Sequence, residues 1–567
     1  MKNINRYLLL FLSLVLLAGC DNFLTQDPIG GTLVQSQYDV LSNKLEGSMR
    51  GIYSMMDPGS SSHDAFGQRS IDMYGDLLCG DMALTSETYG WFAYDERQQT
   101  RTNRSGYVWT YYYGMLRNIN MVVRTVKTQT ELMNHVNTYG LPNDGLQVRD
   151  ESGKVVYHYD ENDSLSAIYY AQALTMRGYV YSNLVKYFTP TVDHLFAGGY
   201  NLTNYPAFPM YTDENMDNGA QDLAMINEVF RQIDSDLTTA ITYFDIFGKD
   251  YVASSKLVVD IDVARGLLAT FYLNRAREIG TTPTDPLLEM PMRKALTYAK
   301  EVIESNSHSI VPNATVLTNG WNSLEDPSWM WGQDVTVETT GGLRSFFGQV
   351  DIHSYSYAWA GDTKVIDKRL YSEIPSWDIR KQWFNDGKVN ATYELCPDKK
   401  FFSAKNPSST SADNIDREWL SDNVFMRIEA MYLVAAEACY FLGLQDSAVL
   451  YLTAITDERV NTSDPTAISK YTTYKASLSN PNTFVQALIL NWRVEMWGEG
   501  YGLQTFRRLT SHKYQSVDEE TGSTSDKLRR GANHLYNPGK EMSYDDETTY
   551  TLQIPASETN YNPYLND

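Results

Sequence analysis

Cysteine is scarce in this chain: four in 567 residues, at positions 20, 79, 396 and 439, with no C-x-x-C spacing. That excludes a disulfide scaffold and a structural zinc site. Histidine is scarcer than a metalloenzyme would want, with eight scattered residues and no H-E-x-x-H. Positive charge is short: 47 Lys and Arg stand against 70 Asp and Glu, a net charge of -23. Such an excess repels phosphate backbones and anionic lipid, so nucleic acid and a polybasic membrane contact are excluded as partners. Long apolar runs are almost absent. The one candidate, residues 8–18, is eleven residues interrupted only by Ser13, well short of the ~20 needed to span a bilayer. A Walker loop, a dinucleotide fingerprint and a G-x-S-x-G elbow are also missing.

What the first twenty residues do hold is an address. Lys2 and Arg6 precede the apolar run, which ends in Leu17-Ala18-Gly19-Cys20. A short basic region, a short apolar segment and small residues before a cysteine form a secretory signal of the lipoprotein kind. Cleavage is expected between Gly19 and Cys20, with lipid on the Cys20 thiol anchoring the mature chain. Loss of Lys2 and Arg6 takes the charge from -23 to -25. Residues 20–38, rich in Gly, Gln, Thr and Ser with Pro28, read as a tether.

Beyond the tether the pattern is helical. Ala167, Tyr170, Ala171, Leu174, Gly178, Tyr181, Leu184, Val185 and Phe188 form one continuous stripe. Val229, Phe230, Ile233, Leu237, Ala240 and Phe244 form a second, and the segments 264–272 and 295–303 continue the series. A further helix over about 425–442 carries Ala430, Ala435, Ala436 and Ala438, small enough for a neighbour to approach closely. Small residues with Tyr and Leu at these offsets predict stacked helix pairs of the tetratricopeptide kind. The fold class is therefore all-α, a tetratricopeptide-like scaffold with long irregular loops. The loops at about 57–104 and 321–411 are poorly periodic and dense in Trp, Tyr, Asp and Asn. Connections that long are usually functional.

Catalytic constellations are thin. Glu495 and Glu499, four apart, could share a helix face as the paired carboxylates of a glycosidase do. Arg493, Arg507 and Arg508 nearby favour an ion-paired face instead. Gly498, Gly500 and Gly502 alternate, but after a helix and not after a strand, which disfavours a phosphate cradle. Asp72, Asp76 and Asp81 lack the spacing of a calcium loop, so no cofactor is expected and a structural calcium has no support.

Several motifs, in order, resemble one family. Cys20-Asp21-Asn22-Phe23-Leu24 followed by Pro28 is similar to the C-x-x-F-L…P start of the SusD/RagB family of Bacteroidetes surface lipoproteins. Trp109, Tyr113 and Asn120 match its early helix. The segments 171–179 and 184–188 resemble its A-x-A-L-x-x-R helix and exit. Arg427 with the segment 432–438 resembles its R-x-x-E-x-Y-L-x-x-A-E-A helix. Arg493, Glu495, Gly498, Glu499, Gly500 and Arg508 match part of its E-F-x-x-E-G segment, and the close carries Ile554-Pro555, Glu558 and Asn562-Pro563. The sequence departs from the pattern at Thr189-Pro190-Thr191-Val192-Asp193, where the family has a glycine exit, and at Ala430, Asn491, Trp492, Gly502 and Thr505.

The resemblance implies a SusD-like fold. Residues 1–19 would be the signal peptide, 20–38 the lipidated tether and 39–567 one helical unit, its two parts meeting near residue 250. It implies a binding protein without catalysis, lipid-anchored in the outer membrane (palmitate among its acyl chains) and facing outward. Its partner would be a SusC-like TonB-dependent transporter, over which it closes as a lid. The ligand would be a glycan or, in some members, a peptide. Sugars need flat apolar faces and polar rims. The long loops offer Asp81, Tyr89, Trp91, Tyr94, Asn103, Trp329, Trp331, Tyr355, Tyr357, Trp359 and Trp377, chosen by position and type. Two other classes stay open: a glycosidase using Glu495 and Glu499, and a helical scaffold that binds only protein.

Overall fold

The computed structural model describes residues 41–58, 62–92, 104–248, 255–275, 286–403, 420–510, 513–517, 524–525, 527–543 and 547–565. The expected lipidation site Cys20, the signal and tether, and two of the loop candidates, Tyr94 and Asn103, lie outside those residues. The principal helices are α1 (Leu41–Ser54), α2 (Gln68–Leu78), α3 (Arg104–Gln129), α4 (Glu161–Phe188) and α5 (Ile226–Phe247). They continue with α6 (Ile261–Arg275), α7 (Pro286–Glu304), α8 (Ile428–Phe441), α9 (Gln445–Thr456) and α10 (Pro481–Glu495). From α3 onward each helix packs on the next through α9, and α10 returns to α8. That succession is the all-α, tetratricopeptide-like stack the stripes predict.

The central helix, α4, shows how local chemistry sets the frame. Asp160 caps it by accepting from the backbone N–H of Asp163 at 2.9 Å, and the Asp163 carboxylate reaches back to the Asp160 N–H. Pro190 ends it by forcing Thr189 into an extended conformation. Most of its length is buried, because α3 and α5 cover it from two sides. Gly178 makes the α5 contact close: a Cβ there would stand 2.7 Å from Leu237. Arg177 ties the three helices together, bidentate on Asp236 (2.8 and 2.7 Å), with Asp213 at 2.9 Å and Asn120 of α3 at 3.0 Å. Tyr170 meets Tyr243 of α5 edge to face at 5.2 Å, and Tyr181 is buried against the Tyr211 carbonyl. Some of the chain's 41 tyrosines therefore serve helix contacts.

The long connections are not open loops. Strand β1 (Met82–Leu84) follows α2. In the insertion between α7 and α8 lie β2 (Trp329–Gln333) and β3 (Lys364–Ile366), and β4 (Asn423–Arg427) runs into α8. β1 pairs antiparallel with β3, Met82 opposite Ile366. β2 pairs antiparallel with β4, Trp329 opposite Arg427. Around these ribbons Phe66, Leu77, Trp321, Phe346, Trp383 and Trp497 build a second hydrophobic core beside the helical one. Burying large aromatics at about 25 cal/mol per Å² is what fixes stretches with so little regular backbone bonding.

Candidate functional site

The β1–β3 ribbon brings the two aromatic-rich segments side by side. Beyond β1 the chain runs past residues 357–363, the stretch that leads into β3, held by a Thr85–Thr363 hydroxyl contact and by Ser86 Oγ donating to the Gly361 carbonyl at 3.0 Å. Tyr89 then reaches Tyr357, ring centroids 5.0 Å apart and 68° between planes. Trp91 stacks on His63 at 4.7 Å and 21°, and His63 meets Tyr357 edge to face at 5.3 Å. The Tyr357 hydroxyl and His63 Nδ1 share a hydrogen bond of 2.8 Å. On the same turn Tyr355 and Trp359 pack ring to ring at 5.3 Å. Tyr89 is half exposed and Trp91, Tyr355 and Trp359 are partly so, while Tyr357 is buried beneath them. Gly90 and Phe92 both sit at positive φ, 74° and 64°, which turns the buried Phe92 ring inward and leaves Trp91 facing the rim.

The polar support is consistent with a mostly neutral surface. Burial, then the charge of Arg344, lowers the His63 pKa from its ordinary value, so the ring is neutral at pH 7. Lys364 lies under the platform, 5.8 Å from the Tyr357 ring, and donates to the Asp362 carboxylate at 2.8 Å. Burial pulls its pKa down and burial pushes that of the Tyr357 hydroxyl up. Flat apolar faces with hydroxyls, an imidazole and backbone groups at their edges can stack on a sugar ring and bond its rim.

The structure thus brings together Tyr89, Trp91, Tyr355, Tyr357 and Trp359, and adds His63, a lone histidine that carried no sequence signal. Four other expected contacts have no free face. Trp329 is fully buried, and Trp331, on the same strand, packs on Tyr179 at 5.2 Å, because both faces of β2 are covered. Trp377 is enclosed by Tyr471 and Tyr474 at 4.8 and 4.7 Å. Asp81 is buried and accepts from Arg493 Nε at 2.8 Å.

The remaining motif residues turn out to be buried ion pairs. Glu495 accepts from Arg427 (2.8 Å), Arg459 (2.9 Å) and Arg380 (3.1 Å). Burial works against its charge, but Arg459 and Arg427 outweigh it and hold the carboxyl well below the usual range. Glu499 is taken by Arg427 and Lys400, each at 2.8 Å, and is likewise held low against burial. Burial brings Lys400 itself down to about 8. The alternating glycines do cradle an anion, but it is the chain's own. Gly498 and Gly502 N–H groups donate to Asp76 at 2.8 and 3.2 Å, and a Cβ on Gly502 would stand 2.7 Å from that carboxylate. Burial, then the charge of Asp81, raises Asp76 to about 7. Asp72 accepts from Gln68 and Arg69. The three aspartates that might have suggested calcium are engaged by these donors.

The helical stack has the fold of SusD-like proteins. Over 92% of its length the chain is similar to a SusD-like carbohydrate binding protein from Bacteroides vulgatus, covering 97% of that chain with a TM-score of 0.64 at 18% identity. A SusD superfamily protein from Bacteroides thetaiotaomicron matches over 92% of this chain and 98% of its own (TM-score 0.65, 17% identity). One from Bacteroides fragilis matches over 93% and 100% (TM-score 0.62, 17% identity). No curated protein matches the sequence. The model of the SusD family matches residues 367–567, the C-terminal third of the chain.

Proposed function

We propose that this protein is a cell-surface glycan-binding lipoprotein that captures oligosaccharides or polysaccharides and passes them, without catalysis, to a SusC-like TonB-dependent transporter. The observation that carries the reading is the convergence of Tyr89, Trp91, Tyr355, Tyr357 and Trp359 at the β1–β3 ribbon, where aromatic faces stand at the rim of a rigid core. The match of residues 367–567 to the SusD family supports it. So does the likeness of its fold to that of a carbohydrate binding protein from Bacteroides vulgatus. The glycosidase alternative loses its footing because both oxygens of Glu495 and Glu499 are committed to arginine and lysine, which leaves neither free to move a proton. The Leu17-Ala18-Gly19-Cys20 signal supports anchorage through lipid on Cys20; among the described residues no helix is long and apolar enough to cross a membrane.

Isothermal titration of the unlipidated protein against a panel of polysaccharides and oligopeptides tests the reading. Saturable binding of a glycan, weakened at least tenfold by Trp91→Ala, is expected. Binding of peptides with silence across glycans would shift the ligand to peptide, and reducing-sugar release abolished by Glu499→Gln would overturn the non-catalytic reading. Membrane partition, lost on Cys20→Ser, checks the anchor, and co-purification with a barrel protein checks the partner.

A further inference from the structure

A cavity of about 140 Å³ lies away from the aromatic shelf, where the C-terminal part of α4 meets α6 and the segment 499–508. Its size matches an apolar cavity of roughly 150 Å³ that holds a single benzene ring. Phe230 and Phe271, edge to face at 5.7 Å, form one wall, with Tyr179 and Phe425 beside them. Arg275 stands over that wall, its guanidinium carbon 5.4 Å from the Phe230 ring and 6.0 Å from the Phe271 ring. No carboxylate of the described residues pairs with it. The Ser182 hydroxyl, also in the lining, is buried and finds no hydrogen-bond partner among the described residues.

Charge selects what could enter. Lys186, Arg275 and Arg507 line the space, and the two lining carboxylates are spent on cations behind the wall. Asp72 is bound to Arg69, and Glu499 to Arg427 and Lys400. Lys186 donates to the Gly500 carbonyl at 2.6 Å, and Arg507 donates to backbone carbonyls of Lys186 and Thr189. In a protein of net charge -23, Arg275 thus brings to this space a positive charge that no carboxylate of the described residues pairs with. A low-dielectric cleft of one sign focuses its field on counter-charged solutes. Pro190, Thr191, Val192 and Thr505 also line it, four of the positions at which the sequence departs from the family's pattern.

We infer that this cavity is a second ligand site, for a small acid built on a single ring. The ring lies against Phe230 and Phe271, and the carboxylate pairs with Arg275, a charge-assisted bond in a partly desolvated place. Ser182 supplies a neutral donor or acceptor to the ring's edge. A sugar acid and an aromatic acid share this chemistry, and the site is independent of the glycan shelf.

Ligand-observed NMR titration of the full mature chain with glucuronate, benzoate and glucose tests the inference. Saturable one-to-one binding of glucuronate or benzoate is expected, with glucose at least tenfold weaker. Glucuronate alone would identify the ligand as a sugar acid, benzoate alone as an aromatic acid. Arg275→Gln, which breaks no ion pair among the described residues, should weaken the bound acid at least tenfold at an unchanged melting temperature. Ser182→Leu, which fills the space, should do the same, and Tyr89→Ala on the shelf should not. The inference is overturned if neither acid binds, if glucose binds as well as the acids, if Arg275→Gln binds like the parent, or if Tyr89→Ala abolishes the signal.

Discussion

Asp57, at the end of the segment that follows α1, gives the sharpest test of the packing. Its side chain is buried, one oxygen accepting from Asn423 Nδ2 of β4 at 2.7 Å and the other without a partner among the described residues. Burial outweighs that bond and the charge of Arg69, and raises the carboxyl from 3.8 to about 7. The sign follows from proton linkage. Below pH 4 the group is protonated in both the folded and unfolded states and contributes nothing. Between pH 4 and 7 the unfolded chain ionises first, so stability falls as pH rises. Above pH 7 both states are charged and the loss is complete. At 1.36 kcal/mol per pH unit the full loss is about 4 kcal/mol. Asp57→Asn keeps the size of the side chain and removes the titration. Urea unfolding of parent and variant at half-unit steps from pH 4.5 to 8.5 isolates the effect, since every other ionisable group is common to both. The variant should gain on the parent progressively up to pH 7 and then hold a constant lead. A pH-independent difference, or one that shrinks as pH rises, would refute the reasoning.

Three other outcomes are expected. Glu495→Gln leaves Arg380, Arg427 and Arg459 short of a buried partner and should cost about 3–5 kcal/mol in urea unfolding. Gly178→Ala drives a methyl into Leu237 and should cost about 1–3 kcal/mol in urea unfolding, and Leu237→Ala should cost less in that variant than in the parent. Tyr89→Ala, which removes a half-exposed ring from the shelf, should lower glycan affinity about tenfold, or about 1.4 kcal/mol, with no change in melting temperature.

The helices were largely readable before the structure, because their stripes report burial directly. The segment 167–188 marks α4 to its last residue and misses only the six residues, 161–166, that follow the Asp160 cap. The segments 229–244 and 264–272 sit inside α5 and α6. The helix α2 was invisible for a physical reason. Packed on all sides, it buries Gln68, Arg69, Asp72 and Asp76 with partners of opposite character, so its polar residues break the apolar period. The same ambiguity divides the aromatic candidates. Trp329 and Trp91 are alike in composition and neighbourhood, yet one lies on a strand covered on both faces and the other behind a left-handed turn at the rim. Only pairing between segments some 280 residues apart decides which is which, and spacing along one segment carries no trace of it. His63 was missed on the same ground, its role being set by Trp91 and Tyr357.

The buried network around Glu495 has a thermal consequence. Arg380 and Lys400 come from the insertion that carries the shelf, while Arg459, Glu495 and Glu499 belong to the helical part. Opening either side would strand charges in the other, so neither can melt alone, and the two halves share one cooperative transition. The proposed recognition surface, though built from loops, is thereby tied to the buried core of the molecule. A ligand that lands on it has little chain motion to arrest, and the entropy that ordering would otherwise take from the binding free energy has already been spent in folding.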